Sequence, residues 1–276
     1  MSAVRRWVNW QIGSRLVPGP VAVNFVNQTM LLVEPGMTGA TGNVYAGLHE
    51  FNDMSFALHL LRPGDLFVDV GANVGSYTVL AASVGAKSIS IEPVKNAFDH
   101  LVRNINLNGI SATVDARQIG IAAKSGSRKF TNGLDTVNHV VGAADTNGTS
   151  VCEIEVDSLD NVLAVAKPVL IKIDVEGLEK EVIEGAKRVM SERSLLAVII
   201  ELNGSGQRYN YDEGDVYSQM TGHGFTPCQY EPYERRLEQL QGKNDLSGNT
   251  LFVRDVEAVS ERLASEPAFS VMGRKL

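Results

Sequence analysis

From Gly64 onward the chain alternates short, unbroken apolar runs with stretches of helical periodicity, and few folds accept that rhythm. The apolar runs fall at 66–70, 87–91, 112–116, 169–173 and 195–200, with later candidates at 225–230 and 250–253. Helical spacing fills 75–84, 94–108, 178–190 and 212–222. Unbroken apolar runs of this length belong to strands covered on both faces. Strands that alternate with helices imply βαβ units and a mainly parallel sheet with helices on both faces. The pattern therefore predicts an α/β, Rossmann-like domain over 65–256.

Residues 1–64 read differently and predict an N-terminal extension of hairpin and helix. Apolar runs at 21–26 and 30–33 flank Asn27-Gln28, which suggests the hairpin. Phe51, Met54, Leu58 and Leu61 place a helix over 50–61, and Pro63-Gly64 ends it. The first residues suggest a short amphipathic helix with Trp7 and Trp10 on one apolar face, packed onto the domain. The segment 124–150 breaks the rhythm. It is rich in Gly, Asn, Ser and Thr, contains His139, and reads as an insertion or lid. Residues 257–276 show no clear periodicity and read as a tail.

Bulk properties narrow the partners. Of 276 residues, 44% are hydrophobic and 21% charged, as expected of a globular protein with a sizeable core. A net charge of −7 argues against nucleic acid and favours a small-molecule or saccharide partner. Cys152 and Cys228 match no metal spacing and read as free thiols. No apolar run reaches the roughly 18 residues that span a bilayer, and no secretory-type start is seen, so a cytoplasmic location is expected. Asn147-Gly148-Thr149 then marks only a turn.

The strongest chemical signal is the run Asp69 to Thr78, D-V-G-A-N-V-G-S-Y-T, between a strand and a helix. Gly71 and Gly75 permit a tight turn and close approach of a ligand to the backbone. N–H groups at the helix start suit a carboxylate, and Asp69 suits an ammonium. A carboxylate and an ammonium on one carbon describe the amino-acid end of S-adenosylmethionine. A dinucleotide loop would place its second glycine where Asn73 stands. Glu92, followed by Pro93, ends the next strand about twenty residues on, where an acidic residue binds both ribose hydroxyls. That position indicates adenosine without choosing between S-adenosylmethionine and NAD. Asp174 ends the fourth strand on the same edge of the sheet, and Glu176 follows it. Either suits deprotonation or positioning of an acceptor, while Glu176 and Glu179 also suit capping of the next helix.

These runs together resemble one family. DVGANVGSYT, IEP with the following N-x-N-x-N-G, VDSLD and IKIDVEGLEKEVIEGA are similar to the FkbM family of S-adenosylmethionine-dependent methyltransferases, over about residues 50–253. The resemblance implies a class I methyltransferase fold with a seven-stranded sheet, and transfer to a hydroxyl of a sugar or natural product. By position it assigns Asp69, Gly71, Ala72, Asn73, Gly75, Ser76, Tyr77 and Thr78 to the cofactor loop, and Glu92 to the ribose. Gly120 would lie by the adenine, although the run 118–123 lacks the acidic residue many relatives carry there. Tyr45 and Glu50 would close over the cofactor. Asp174, Glu201 and Asn203 end neighbouring strands and form a candidate Mg²⁺ site, similar to catechol-type O-methyltransferases. Asp174 is the preferred proton acceptor, with Glu176 beside it. Two other readings stay open: an NAD(P)-dependent oxidoreductase, and a non-catalytic S-adenosylmethionine-binding module.

Overall fold

Hydrophobic alternation along each strand decides which side chains meet which layer, and in this computed structural model the layers follow from it. The structure describes residues 3–16, 19–131, 140–141, 151–265, 268–271 and 274–275. In chain order the elements are α1 (Ala3–Leu16), β1 (Val21–Asn24), β2 (Met30–Val33), α2 (Thr38–Ala46), α3 (Phe51–Leu60), β3 (Leu66–Val70), α4 (Ser76–Ala82) and β4 (Lys87–Ile91). Next come α5 (Lys95–Leu107), β5 (Val114–Arg117), β6 (Gly120–Ile121), β7 (Gly126–Thr131), β8 (Val151–Asp157), α6 (Leu159–Leu163) and β9 (Leu170–Ile173). The chain continues with α7 (Glu179–Glu184), β10 (Ala197–Glu201), α8 (Glu213–Gly222), β11 (Thr226–Glu231), β12 (Arg236–Gln239), β13 (Asn249–Val253) and α9 (Val256–Ala264).

The main sheet has eight strands in the order β5-β4-β3-β9-β10-β13-β11-β12. The five from β5 to β10 are parallel, and β13, β11 and β12 are joined through antiparallel pairs. Seven strands match the expected sheet. The eighth, β12, is a polar edge strand (Arg-Leu-Glu-Gln) with no apolar run to announce it. The first strand, β3, lies in the middle, with β4 on one side and β9 on the other. Strand order therefore reverses at β3/β9, and the ends of these strands open a crevice there.

The two faces carry separate cores. Phe67, Leu170 and Ile199 face Phe56 and Leu60 of α3 and Leu80 of α4. Val68, Val70, Ile171, Ile173, Val198 and Ile200 face Val182 of α7 and Val216 of α8. Each such fully buried side chain stabilises the fold by about 1.5–3 kcal/mol. The period of two puts Asp69 and Lys172 on the α3/α4 face, and the parallel register sets them side by side.

Several expectations change. The Gly-rich stretch 39–47, for which no element was expected, lies mostly within α2. The helix expected over 178–190 ends at Glu184, with Gly185 at its C-cap in close contact with the Ala122 carbonyl oxygen. The supposed insertion contains β7, which pairs with β8 and, through it, with β6 in a small side sheet. Residues 132–139 and 142–150, with His139 and the Asn147 sequon, lie outside the described residues. The stretch read as a tail begins inside α9, capped by the Asp255 side chain and packed through Val259 and Leu263. Trp7 and Trp10 do not share a buried face: Trp10 is 8% exposed and Trp7 49%. The β1/β2 hairpin forms as read and is stitched to α5, where Asn104 and Asn108 accept the backbone N–H groups of Leu32 and Met30.

Gly71 is the tightest backbone constraint. Its φ is +82°, and an added Cβ would collide with the carbonyl oxygen of Asp174 on the neighbouring strand end. Gly64 has a similar φ of +86° but open space around it. Gly71→Ala should cost about 3 kcal/mol or more in denaturant unfolding, and Gly64→Ala about 1 kcal/mol. Equal costs at the two positions would remove the strand-end packing argument.

Candidate active site

The crevice at the strand reversal is a cavity of about 340 Å³. Its walls come from the ends of β3, β4, β9 and β10 together with residues of α2, α3 and α4. Of the residues expected to hold cofactor, Glu50, Asp69, Gly71, Ala72, Asn73, Ser76, Tyr77, Glu92, Pro93 and Gly120 all line it. Gly75 and Thr78 are not among its lining residues. Gly75 is turned toward Leu101 of α5, where a Cβ would crowd that side chain. Thr78 is buried behind Asp69 and donates its hydroxyl to Asp69 Oδ2 at 2.8 Å. Both shape the loop from behind. Asn73, with φ +50°, takes the left-handed conformation that asparagine tolerates.

At one end of the cavity, Asp69 is fully buried and its Oδ1 has no hydrogen-bond partner. Burial pushes its pKa up to about 6, against the pull of Lys172 and the Thr78 hydroxyl. Glu92 accepts the N–H of Asn73 on Oε2 and that of Val94 on Oε1, each at 2.8 Å. Burial still raises its pKa to about 7. Two backbone donors thus fix the carboxylate while each oxygen retains accepting capacity. Ile91, Val94, Ile119, Ile121 and Phe130 make an apolar slot beyond it.

At the other end stand three carboxylates. Oxygens of Asp174, Glu176 and Glu201 lie within 4.8 Å of one another. Burial and the neighbouring Asp174 charge push Glu176 up to about 7, and raise Glu201 as well. Glu176 also sits at φ +56°, a strained conformation for a side chain of its size. The capping expected of Glu176 and Glu179 does not form: Leu178 is the N-cap of α7 with no side-chain hydrogen bond, and Glu179 accepts the N–H of Gly177 in the preceding turn at 3.0 Å. Asn203 lines the cavity, but its Oδ1 accepts the Ser205 N–H at 2.9 Å. Glu176 joins Asp174 and Glu201 in the acidic cluster, and Asn203, whose amide oxygen keeps a second lone pair, lines the same cavity.

Between the two ends lies Lys172, which the sequence reading did not single out. It is 3% exposed, ion-paired with Asp174 at 2.5 Å, and stacked over the Tyr77 ring at 4.9 Å. Burial alone would disfavour its ammonium. The charges of Asp174, Glu50 and Asp69 outweigh that and raise its pKa. The available signal was a lysine inside an otherwise apolar strand, Leu-Ile-Lys-Ile, where a charge survives only if paired. One more group escaped notice. Asp53 is buried against Asn249, and burial followed by the Glu50 charge raises its pKa to about 7. Tyr77 donates its hydroxyl to Glu50 at 2.5 Å, which ties α3 to the cofactor loop. Tyr45 does not line the cavity, whereas His49 does.

A parallel sheet with its crevice at the strand reversal, lined by one acidic group per strand end, defines a class I methyltransferase-type fold. The description "Methyltransferase FkbM domain" matches residues 69–227, and the chain belongs to that family. It is 29% identical over 139 residues to the hexuronic acid methyltransferase AglP of Haloferax volcanii, covering 50% of this chain and 56% of that protein. It is 26% identical over 215 residues to the 31-O-demethyl-FK506 methyltransferase FkbM of Streptomyces tacrolimicus, covering 64% of this chain and 79% of that protein. The chain thus spans little more than half the length of the first relative. Among solved structures, methyltransferase FkbM from Methylobacillus flagellatus KT aligns at 15% identity with a TM-score of 0.47, over 91% of this chain and 59% of that one.

Removing the buried ammonium tests the electrostatics. Lys172→Met should cost about 3–5 kcal/mol near pH 8, where the buried Asp69 carboxylate and the half-buried Asp174 lose their cation. The cost should shrink toward pH 5, because Asp69, whose pKa burial raises to about 6 against the pull of Lys172, is protonated there and needs no cation. A cost independent of pH in chemical unfolding would show that Lys172 acts only through packing.

Proposed function

We propose that the protein transfers a methyl group from S-adenosylmethionine to an uncharged hydroxyl of a saccharide or natural product. The observation that carries this reading is the charge of the cavity. Glu50, Asp69, Glu92, Asp174, Glu176 and Glu201 line it, with Lys172 as the one lysine or arginine among its lining residues. Such a field favours a ligand with an ammonium and a sulfonium, and repels the pyrophosphate of a dinucleotide. The fit is specific as well. Asp69 Oδ1 is a buried acceptor in need of a donor, which an α-ammonium supplies. Glu92 suits the ribose diol, and the slot of Ile91, Val94, Ile121 and Phe130 suits an adenine ring.

When bound, S-adenosylmethionine supplies an electrophilic methyl on a charged sulfur. The chain's own groups do the rest. The strand ends hold acceptor and donor in line, which is the larger part of the catalysis. Asp174 is committed to Lys172 by their ion pair. Glu176, with a pKa near 7, is the carboxylate matched to taking the acceptor's proton at neutral pH. The acceptor oxygen then bonds to the methyl carbon as the carbon–sulfur bond breaks, and S-adenosylhomocysteine leaves. The crowded carboxylates favour a neutral hydroxyl over an anionic acceptor. Neutral hydroxylated saccharides and FK506-type alcohols form the first panel to test, with a hexuronic acid as the anionic comparison, given the names of the relatives.

A second reading of the acidic cluster has its own support. Asp174, Glu176 and Glu201 offer the oxygen set a Mg²⁺ ion would take, and Glu201 Oε2 lacks a partner. Shared protons on Glu176 and Glu201 relieve the same repulsion without a metal. An initial rate unchanged by chelation selects the protons; an abolished rate restored by Mg²⁺ selects the ion.

Glu176→Gln should lower kcat by about 10²–10⁴-fold and leave S-adenosylmethionine affinity nearly unchanged. In the unsubstituted enzyme the rate should rise with pH through a midpoint near 7 as Glu176 loses its proton, and the variant should lack that limb. Full activity in Glu176→Gln would return the proton to Asp174 or to solvent.

A further inference from the structure

Helix α1 is apolar on two sides. Its inner side packs on α2 through Trp10, and the Arg6 side chain donates to the Tyr45 carbonyl at 2.8 Å. Its outer side exposes Val4, Trp7, Val8, Ile12 and Leu16. Val4, Val8, Ile12 and Leu16 recur every fourth residue, so with Trp7 they form a continuous stripe along the helix. They are five of the ten large apolar side chains exposed among the described residues, and the other five are scattered over other elements. Single exposed apolar residues are ordinary on a protein surface, but a stripe of this length marks a binding face.

Charge indicates what covers it. The first 33 residues hold Arg5, Arg6 and Arg15 and no acidic residue, in a chain of net charge −7. Arg5 and Arg15 are exposed beside the stripe. We infer that α1 docks this stripe onto an anionic lipid surface, with Trp7 at the headgroup level and the two arginines reaching outward to phosphates. Apolar residues and arginines on one helical face, with a tryptophan among them, suit a bilayer interface. A two-fold pairing with a second copy would instead bring equivalent arginines together. Among the described residues no helix is long and apolar enough to cross a membrane, so the association is peripheral.

The placement matters for the cavity. α1 lies on α2, and Ala40 and Asn43 of α2 line the cavity wall. A docked α1 would lie between the lipid and α2, which puts that wall about one helix diameter, roughly 10 Å, from the headgroups. The docking itself does not rest on the methyl-transfer reading, and its test needs no acceptor.

The full chain is sedimented with vesicles of phosphatidylcholine alone and of equal parts phosphatidylcholine and phosphatidylglycerol, while tryptophan emission is recorded. The protein should pellet with the anionic vesicles, at least about tenfold more strongly than with the neutral ones, with a blue shift from Trp7. Trp7→Glu with Ile12→Glu, both exposed positions, should abolish binding and the shift while keeping the thermal midpoint. Arg5→Gln with Arg15→Gln should weaken binding and flatten its salt dependence. Failure to pellet with anionic vesicles, or undiminished pelleting of the Glu variant, overturns the inference. So does a stable dimer in analytical ultracentrifugation that the Glu variant dissolves, because the stripe then belongs to a second copy.

Discussion

One buried ammonium organises this site. Lys172 enters the sheet in the middle of an apolar strand and neutralises carboxylates from its own strand end and from two other segments. Asp69 reaches it across the β3/β9 register, Asp174 from two residues along its own strand, and Glu50 from the start of α3 through Tyr77. A lone charge at that depth would cost several kcal/mol, and so would the carboxylates without it. The interaction therefore ties the N-terminal segment, the glycine loop after β3 and the β9 strand end into one electrostatic unit. Because acids outnumber this cation, the unit remains short of positive charge, and a cationic ligand completes it.

Sheet topology explains why the acids meet at all. The chain begins in the middle of the sheet at β3, builds outward through β4 and β5, then returns to the other side at β9 and β10. The last residues of these strands point to one edge. Asp69, Glu92, Asp174 and Glu201 lie at or next to strand ends, so four segments distant in sequence converge without any long loop. The backbone is drawn equally tight. Gly71 lets the cofactor loop pass against the Asp174 carbonyl, and Gly75 lets α4 start close to α5. These glycines serve the packing of the protein against itself, which also brings the loop to where a ligand's amino-acid end would lie.

Much of this was legible before any coordinates. Strands β3, β4, β9 and β10 are visible because sheets covered on both faces demand unbroken apolar runs. Asp69, Glu92 and Asp174 stand out because a charge that ends such a run must face either solvent or a ligand. Other features left no local trace. β12 is polar because it is an edge strand, and β7 exposes most of its residues, so neither shows a pattern. Lys172 was visible as a letter but not as a role, since its partners come from elsewhere in the fold. Asn203 has the right spacing for a ligand, yet a local hydrogen bond to Ser205 takes one lone pair of its oxygen. Trp7 and Trp10 are three residues apart and were read as one face. They are neighbours on the helix surface, and the docking of α1 on α2 covers Trp10 while leaving Trp7 exposed.

The central claim is that the acid-rich crevice binds a cationic sulfonium cofactor. Calorimetric titration near neutral pH with S-adenosylmethionine, S-adenosylhomocysteine and NADH tests it most directly, with Asp69→Ala and Glu92→Ala in parallel. Micromolar binding of the first two ligands, lost in both variants, with no heat from NADH, is the predicted result. Binding of NADH in preference, or no binding of either adenosyl compound by a folded protein, would contradict the account and leave the glycine loop as fold geometry alone.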